Sequence, residues 1–333
     1  MLTAYQRTLI DRLPVEGQPH YMKNGVAVPY AEQDIQELAE LPLQYARSSA
    51  NKRAIILHGA PGAGKTHAGM ERLKALVGDD RKKEATYAVI SYDEHGAIYD
   101  IPEYNTALQD LARSAKLDQV GQETPVTDIP LEARQQLWLD FQPLSQRIRS
   151  VTLKQALHNG QNLYVDTTSS SKGVLMLIDT LRDLDYKEIE IWSYCGPFEV
   201  AQDRIEQRLR PTSPDDLFKK RVGAYEMLPA LIKYADRVSI TVNDSNFVEP
   251  EEFARYENAQ YVWGRPDLAE SVLCRLVDER GRYHDAAIEQ YGPTEGDALR
   301  KAYMAALQAT EVALTDCLDS LQPRHPQEMG FDI

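Results

Sequence analysis

Cysteine is scarce in this sequence. Cys195, Cys274 and Cys317 stand alone among 333 residues, and none belongs to a C-x-x-C pair. That excludes a disulfide framework and a cysteine-built zinc site, and it suits a reducing compartment. Positive charge is also short: 37 lysines and arginines face 51 acidic residues, a formal net charge of −14. A surface this acidic repels phosphate backbones and argues against a general nucleic-acid binder. A few arginines converging in one cleft can still reverse the local potential for a small phosphorylated molecule. Long apolar runs are missing as well, since no stretch approaches the ~18 uninterrupted residues of a membrane helix. The start of the chain, Met1 to Arg7 and on to Asp11 and Arg12, has no apolar core and does not read as a secretory signal. The expectation is a cytoplasmic protein without a membrane contact, delivery into another cell by a signal-less route remaining open.

What the sequence does contain is an alternation of short apolar runs with helical patterns. Residues 1–50 read as a helical segment, with Ile35, Leu38, Leu41 and Leu43 as its buried stripe. Arg53–His58 reads as a buried strand and Lys65–Val77 as a helix. Further strands are expected at 85–91, 162–165, 188–194 and 237–242, with helices at about 144–158, 172–184, 198–210 and 214–234. Residues 99–130 read as a loop-rich insertion around one helix. Strands and helices in this order predict a parallel five-stranded sheet of α/β class covered by helices on both faces. The domain reading is a core over 51–250 with a lid near 200–225, and a helical region over 251–333.

Between the first strand and its helix lies Gly59-Ala60-Pro61-Gly62-Ala63-Gly64-Lys65-Thr66, a complete G-x-x-x-x-G-K-[ST]. Its glycines let the backbone curl so that N–H groups point at a phosphate, and the following helix adds its positive end. Lys65 would reach the β- and γ-phosphates of a purine triphosphate, and the Thr66 hydroxyl would coordinate Mg²⁺. The expected ligands are therefore ATP and Mg²⁺.

Asp93 follows the second strand, which is expected beside the P-loop strand, and so lies over the crevice at the strands' carboxyl ends. A carboxylate there can take the proton of an attacking hydroxyl. The same residue type also serves as a solvated loop acid or a helix N-cap. Glu94 and His95 beside it are candidates for substrate positioning or for plain surface. Asp166 ends the third strand, where an acid can hold the metal's water shell or orient substrate, with the hydroxyls of Thr167 and Thr168 next to it. Helix capping is the competing reading for those hydroxyls. Arg204, Arg208, Arg210 and Arg221 crowd a region otherwise rich in acids, and arginine's fork matches phosphate oxygens. His58 and His67 flank the loop without ligand-spaced partners.

With these residues in place, roughly residues 53–245 resemble the zeta toxin family of P-loop kinases and, more loosely, polynucleotide kinase and chloramphenicol phosphotransferase. The pieces are G-A-P-G-A-G-K-T, S-Y-D-E-H, N-L-Y-V-D-T-T and the arginine-bearing helices that follow D-Y-K-E-I-E-I-W-S-Y. The resemblance implies Asp93 as general base, Asp166-Thr167-Thr168 as a substrate element, and Arg208 and Arg221 as phosphate contacts. It also implies a nucleotide-type acceptor, either the 3′-hydroxyl of a UDP-N-acetyl amino sugar or the adenosine ribose 3′-hydroxyl of NAD. A toxin or effector role, with an antitoxin or chaperone-like neutralising partner, would go with it. Tyr92 stands where the family often has Asn or Asp, and Thr167 where it usually has Gly. Two rivals remain: a P-loop ATPase switch, and a 5′-hydroxyl polynucleotide kinase that the net charge disfavours.

Overall fold

The computed structural model describes residues 2–44, 46–77, 87–91, 98–114, 129–207, 212, 214–243, 249–265 and 301. Among them one sheet of seven strands dominates, in the spatial order β4-β5-β3-β6-β7-β8-β9. Its first five members are parallel: β3 (Arg53–His58), β4 (Tyr87–Ile90), β5 (Asn162–Val165), β6 (Glu188–Cys195) and β7 (Arg237–Val242). The expected five-stranded parallel sheet is present, and β8 (Glu251–Glu257) and β9 (Gln260–Gly264) extend it antiparallel.

Strand β3 shows why the sheet lies in the middle. Its side chains alternate by the pleat, so Ala54 and Ile56 enter one core while Ile55 and Leu57 enter the other. Both faces are buried, which requires the continuous apolar run seen in its sequence. Helix α3 (Lys65–Val77) covers the second face, where the Arg72 guanidinium lies 4.3 Å from the Trp192 ring centroid. Helix α6 (Gly173–Asp183) covers the first with Val174, Ile178 and Leu181, one apolar stripe at helical spacing. Helices α7 (Phe198–Glu206) and α8 (Pro214–Tyr234) lie between β6 and β7 in the chain.

A second apolar cluster lies outside the sheet. It joins α2 (Glu32–Glu40), α4 (Pro102–Ser114) and the long α5 (Leu131–His158), with Tyr21 stacked on Phe141 at 4.6 Å between ring centroids. The helix expected at 144–158 is thus one part of a 28-residue helix that runs through Pro143. Its extra turns bury Leu137, Trp138 and Phe141 in this cluster, and that packing overrides the proline's lost hydrogen bond.

Three expectations need correcting. The N-terminal 1–50 is not wholly helical, because after α1 (Ala4–Arg12) it forms a hairpin of β1 (His20–Lys23) and β2 (Val26–Pro29) about Asn24-Gly25. Both turn residues have positive φ, 51° and 77°, the geometry of a type I′ turn. Residues 251–264, expected to open a helical region, are strands that extend the sheet past β7. Finally, β5 rather than β4 lies beside the P-loop strand, and β4 is the edge strand. No helix among the described residues is long and apolar enough to cross a membrane.

Candidate functional site

The P-loop leaves β3 at His58 and enters α3 at Lys65. Gly62 and Gly64 hold φ of 77° and 76°, a left-handed geometry that a side chain makes costly. Such turns present successive N–H groups on one concave face, an anion nest. The loop is fixed from both sides. On one side the Gly59 N–H donates to the Thr168 carbonyl at 3.2 Å, and the Ser169 hydroxyl donates to the Leu57 carbonyl at 2.8 Å.

On the other side stands a clamp. Arg204 of α7 donates to the Gly62 carbonyl at 3.2 Å and to Asn243 Oδ1 at 2.9 Å. The Asn243 amide donates to the Ala63 carbonyl at 3.1 Å. Asn243 is itself fixed just past β7, its N–H on the Cys195 carbonyl at 2.8 Å. Tying loop carbonyls outward leaves the N–H face for a ligand. Asn243→Ala deletes both bonds and leaves a carbonyl unsatisfied at about 1–3 kcal/mol. We expect the Kd for a non-hydrolysable ATP analogue to rise roughly tenfold, as 1.4 kcal/mol implies. Calorimetric titration reads this, and an unchanged Kd would mean that the clamp does not shape the nest.

Three polar side chains gather where the loop meets β5. Thr66 Oγ1 donates to Asp166 Oδ2 at 2.7 Å, and Lys65 Nζ lies 3.9 Å from Asp166 Oδ1. Lys65 and Asp166 keep only 7% and 5% of their side-chain surface exposed. A buried carboxylate is tolerated because these partners compensate it. Thr66 and Asp166 together are a hard-oxygen donor set, which fits Mg²⁺ held by a few protein oxygens alongside phosphates and water.

Beside them opens a cavity of about 480 Å³. Lys65, Asp166, Thr167 and Thr168 line it together with residues of α5, α6 and the segment after α1. The Thr168 hydroxyl pairs with Ser170 at 3.0 Å, so the loop after β5 presents a hydroxyl row to this space.

Arg221 faces elsewhere. It is 1% exposed, donates to the Gly196 carbonyl at 2.8 Å, and lines a small space with Gly59, Ala60 and Ala63. The structure therefore brings together Lys65, Thr66, Asp166, Thr167 and Thr168, with Arg221 in a separate small space beside Gly59 and Ala60. Asp93, Glu94 and Arg208 lie outside the described residues. Sequence reasoning missed Asn243 and the α5 wall altogether and named Arg204 without a place.

His58 is structural. Its Nε2 sits 2.8 Å from the Ala224 carbonyl, which only accepts, so Nε2 carries the proton and Nδ1 accepts from the Ser193 hydroxyl at 2.8 Å. Burial, with Lys65 nearby as a lesser cause, pushes its pKa down to about 4. The unfolded chain therefore binds a proton that the folded chain refuses. His58's support is complete above about pH 6.5 and falls away as the pH drops towards about 4, a loss of about 3 kcal/mol. Melting curves of wild type and His58→Gln between pH 7 and 4.5 should converge as the pH falls. Parallel curves would show that His58 does not titrate in this range.

No protein-family model matches the chain, and no curated protein sequence matches it. Among solved structures it is similar to a chain of the AvrRxo1-ORF1:AvrRxo1-ORF2 complex determined with sulphate ions. The TM-score is 0.47 and the identity 13%, over 84% of this chain and 87% of that one. The same complex determined with ATP gives a TM-score of 0.45 and 15% identity over 84% and 88%. A chain of the PezAT chromosomal toxin–antitoxin system of Streptococcus pneumoniae gives 0.42 and 14% over 87% and 98%.

Proposed function

We propose that the protein is an ATP-dependent kinase that phosphorylates a hydroxyl of a nucleotide-type small molecule. The single observation that carries this reading is the buried Lys65–Thr66–Asp166 group, set between an anion nest and a cavity of about 480 Å³. A switch that only hydrolyses ATP needs no second chamber at the phosphate end, whereas a kinase needs room for an acceptor.

In this reading the triphosphate lies on the N–H face of Gly59–Thr66, and Lys65 neutralises charge on the oxygens between donor and acceptor. Mg²⁺, when bound, would be held by Thr66 and Asp166 and would supply further positive charge there. Thr167 and Thr168 orient the acceptor by hydrogen bonds. Asp93 accepts the proton of the attacking hydroxyl, with Glu94 as a positioning group. Arg208 and Arg221 balance charge on the migrating phosphoryl group, and for that Arg221 exchanges the Gly196 carbonyl for a phosphate oxygen. The resemblance to zeta toxins supports two acceptors, the 3′-hydroxyl of a UDP-N-acetyl amino sugar and that of the adenosine ribose of NAD. It also supports a toxin or effector role with a neutralising protein partner.

The test is transfer from γ-labelled ATP to a panel of UDP-sugars, NAD and oligonucleotides. Label on a UDP-sugar or on NAD is the expected result. Label on water alone would leave a switch, and label on oligonucleotides a repair kinase.

A further inference from the structure

Part of the cavity wall is supplied by α5 and the segment after α1, away from the P-loop itself. α5 presents Gln142, Gln146 and Arg149 to it, spaced four and three residues apart on one helical face, and Glu16 joins them from the segment after α1. The two parts are fastened together. The Glu16 N–H donates to the Ser150 hydroxyl at 3.0 Å, and the Gln18 N–H donates to the Pro143 carbonyl at 2.9 Å. This wall is therefore a built surface.

Its charge is the reverse of the protein's. Lys65, Arg149, Lys154 and Lys220 line the cavity against Glu16 and Asp166, four cations to two carboxylates in a chain of net charge −14. Lys65 belongs to the nucleotide site, so the other cations an acceptor meets in this cavity are Arg149, Lys154 and Lys220. Arg149 is a largely enclosed cation of this wall, with 12% of its side chain exposed. Its Nη1 stands 3.8 Å from Glu16 Oε2, too long for a hydrogen bond, and Glu16 is itself 55% exposed. A ligand oxyanion that reaches bonding distance gains a charge-assisted, fork-shaped contact with the guanidinium.

We propose that Arg149, with Gln146 beside it, anchors an oxyanion, phosphate or carboxylate, carried by the acceptor. The acceptor then lies with its anionic end on α5 and its hydroxyl towards Asp166, while Glu16 holds Arg149 in place until the ligand arrives. This rests on the kinase reading, because it assigns the cavity to an acceptor.

The test uses the full chain saturated with Mg²⁺ and a non-hydrolysable ATP analogue, so that the P-loop is filled, titrated with inorganic pyrophosphate. One pyrophosphate site per chain is expected. Arg149→Gln should weaken it roughly tenfold or more, as loss of a charge-assisted bond implies. Arg149→Lys should keep part of the affinity. Glu16→Gln should tighten binding by removing the competitor, a gain that a damaged fold does not produce. Malonate in place of pyrophosphate tells a carboxylate site from a phosphate site. A loaded chain that ignores both anions, or an Arg149→Gln chain that binds like wild type, overturns the proposal and leaves the kinase reading standing. A chain that takes up no ATP analogue overturns the kinase reading itself.

Discussion

Replacing Lys65 with methionine is expected to lower phosphoryl transfer by roughly 10²–10³-fold, the cost of removing one preorganised donor from a dry site. Methionine keeps the aliphatic stem that the pocket already encloses, so the fold should hold. What disappears is the cation 3.9 Å from Asp166. Asp166 would then meet the triphosphate with the Thr66 hydroxyl, at 2.7 Å, and a bound Mg²⁺ to balance it. Repulsion should weaken nucleotide binding too, and the loss should appear in both kcat and KM for ATP. Asp166→Asn in the Lys65→Met background should cost less than the same change in wild type, because charges acting as a unit are not additive. Single-turnover transfer from labelled ATP measures all of this. A Lys65→Met rate within tenfold of wild type would remove the P-loop from the chemistry.

The parts of the site that the sequence displayed are those built by neighbours in the chain. Gly59 to Thr66 announces itself because strand, loop and helix are contiguous, and Asp166 because it ends an apolar run. The clamp could not be read this way. Asn243 meets Ala63 across 180 residues and Arg204 across 39, and a lone asparagine after a strand has no local signature. The α5 wall was hidden for a related reason: Pro143 breaks the apparent helix, so Gln142 and the turns before it looked separate from Gln146 and Arg149. For the N-terminal hairpin a signal did exist, Asn24-Gly25 between alternating residues, the strongest short-range sign of a two-residue turn. For β8 and β9 it was weak. Their turn is Asn258-Ala259, with φ of 49° and 61°, and alanine there bears a strain that gives a reader no warning. The order of the parallel strands was also beyond local reading, since nothing within β4 states that β5 will insert between it and β3.

Asp93→Asn is expected to reduce transfer by roughly 10²–10⁴-fold, the usual worth of a positioned general base, while affinity for the ATP analogue stays near wild type. Ile90 ends β4, and its carbonyl accepts the Asp166 N–H at 2.9 Å, so the chain leaves β4 beside the carboxylate that meets Thr66 and Lys65. Asp93 follows three residues after Ile90. Asparagine preserves size and hydrogen bonding but cannot take a proton, which separates proton removal from acceptor positioning. The loss should therefore fall on kcat, with KM for the acceptor changed much less. Glu94→Gln, the neighbouring change, should do the opposite and act mainly on acceptor KM. If Asp93→Asn transfers at near wild-type rate, or if Glu94→Gln takes the loss in kcat, the base is not Asp93 and the mechanism proposed for this site must be redrawn around another carboxylate.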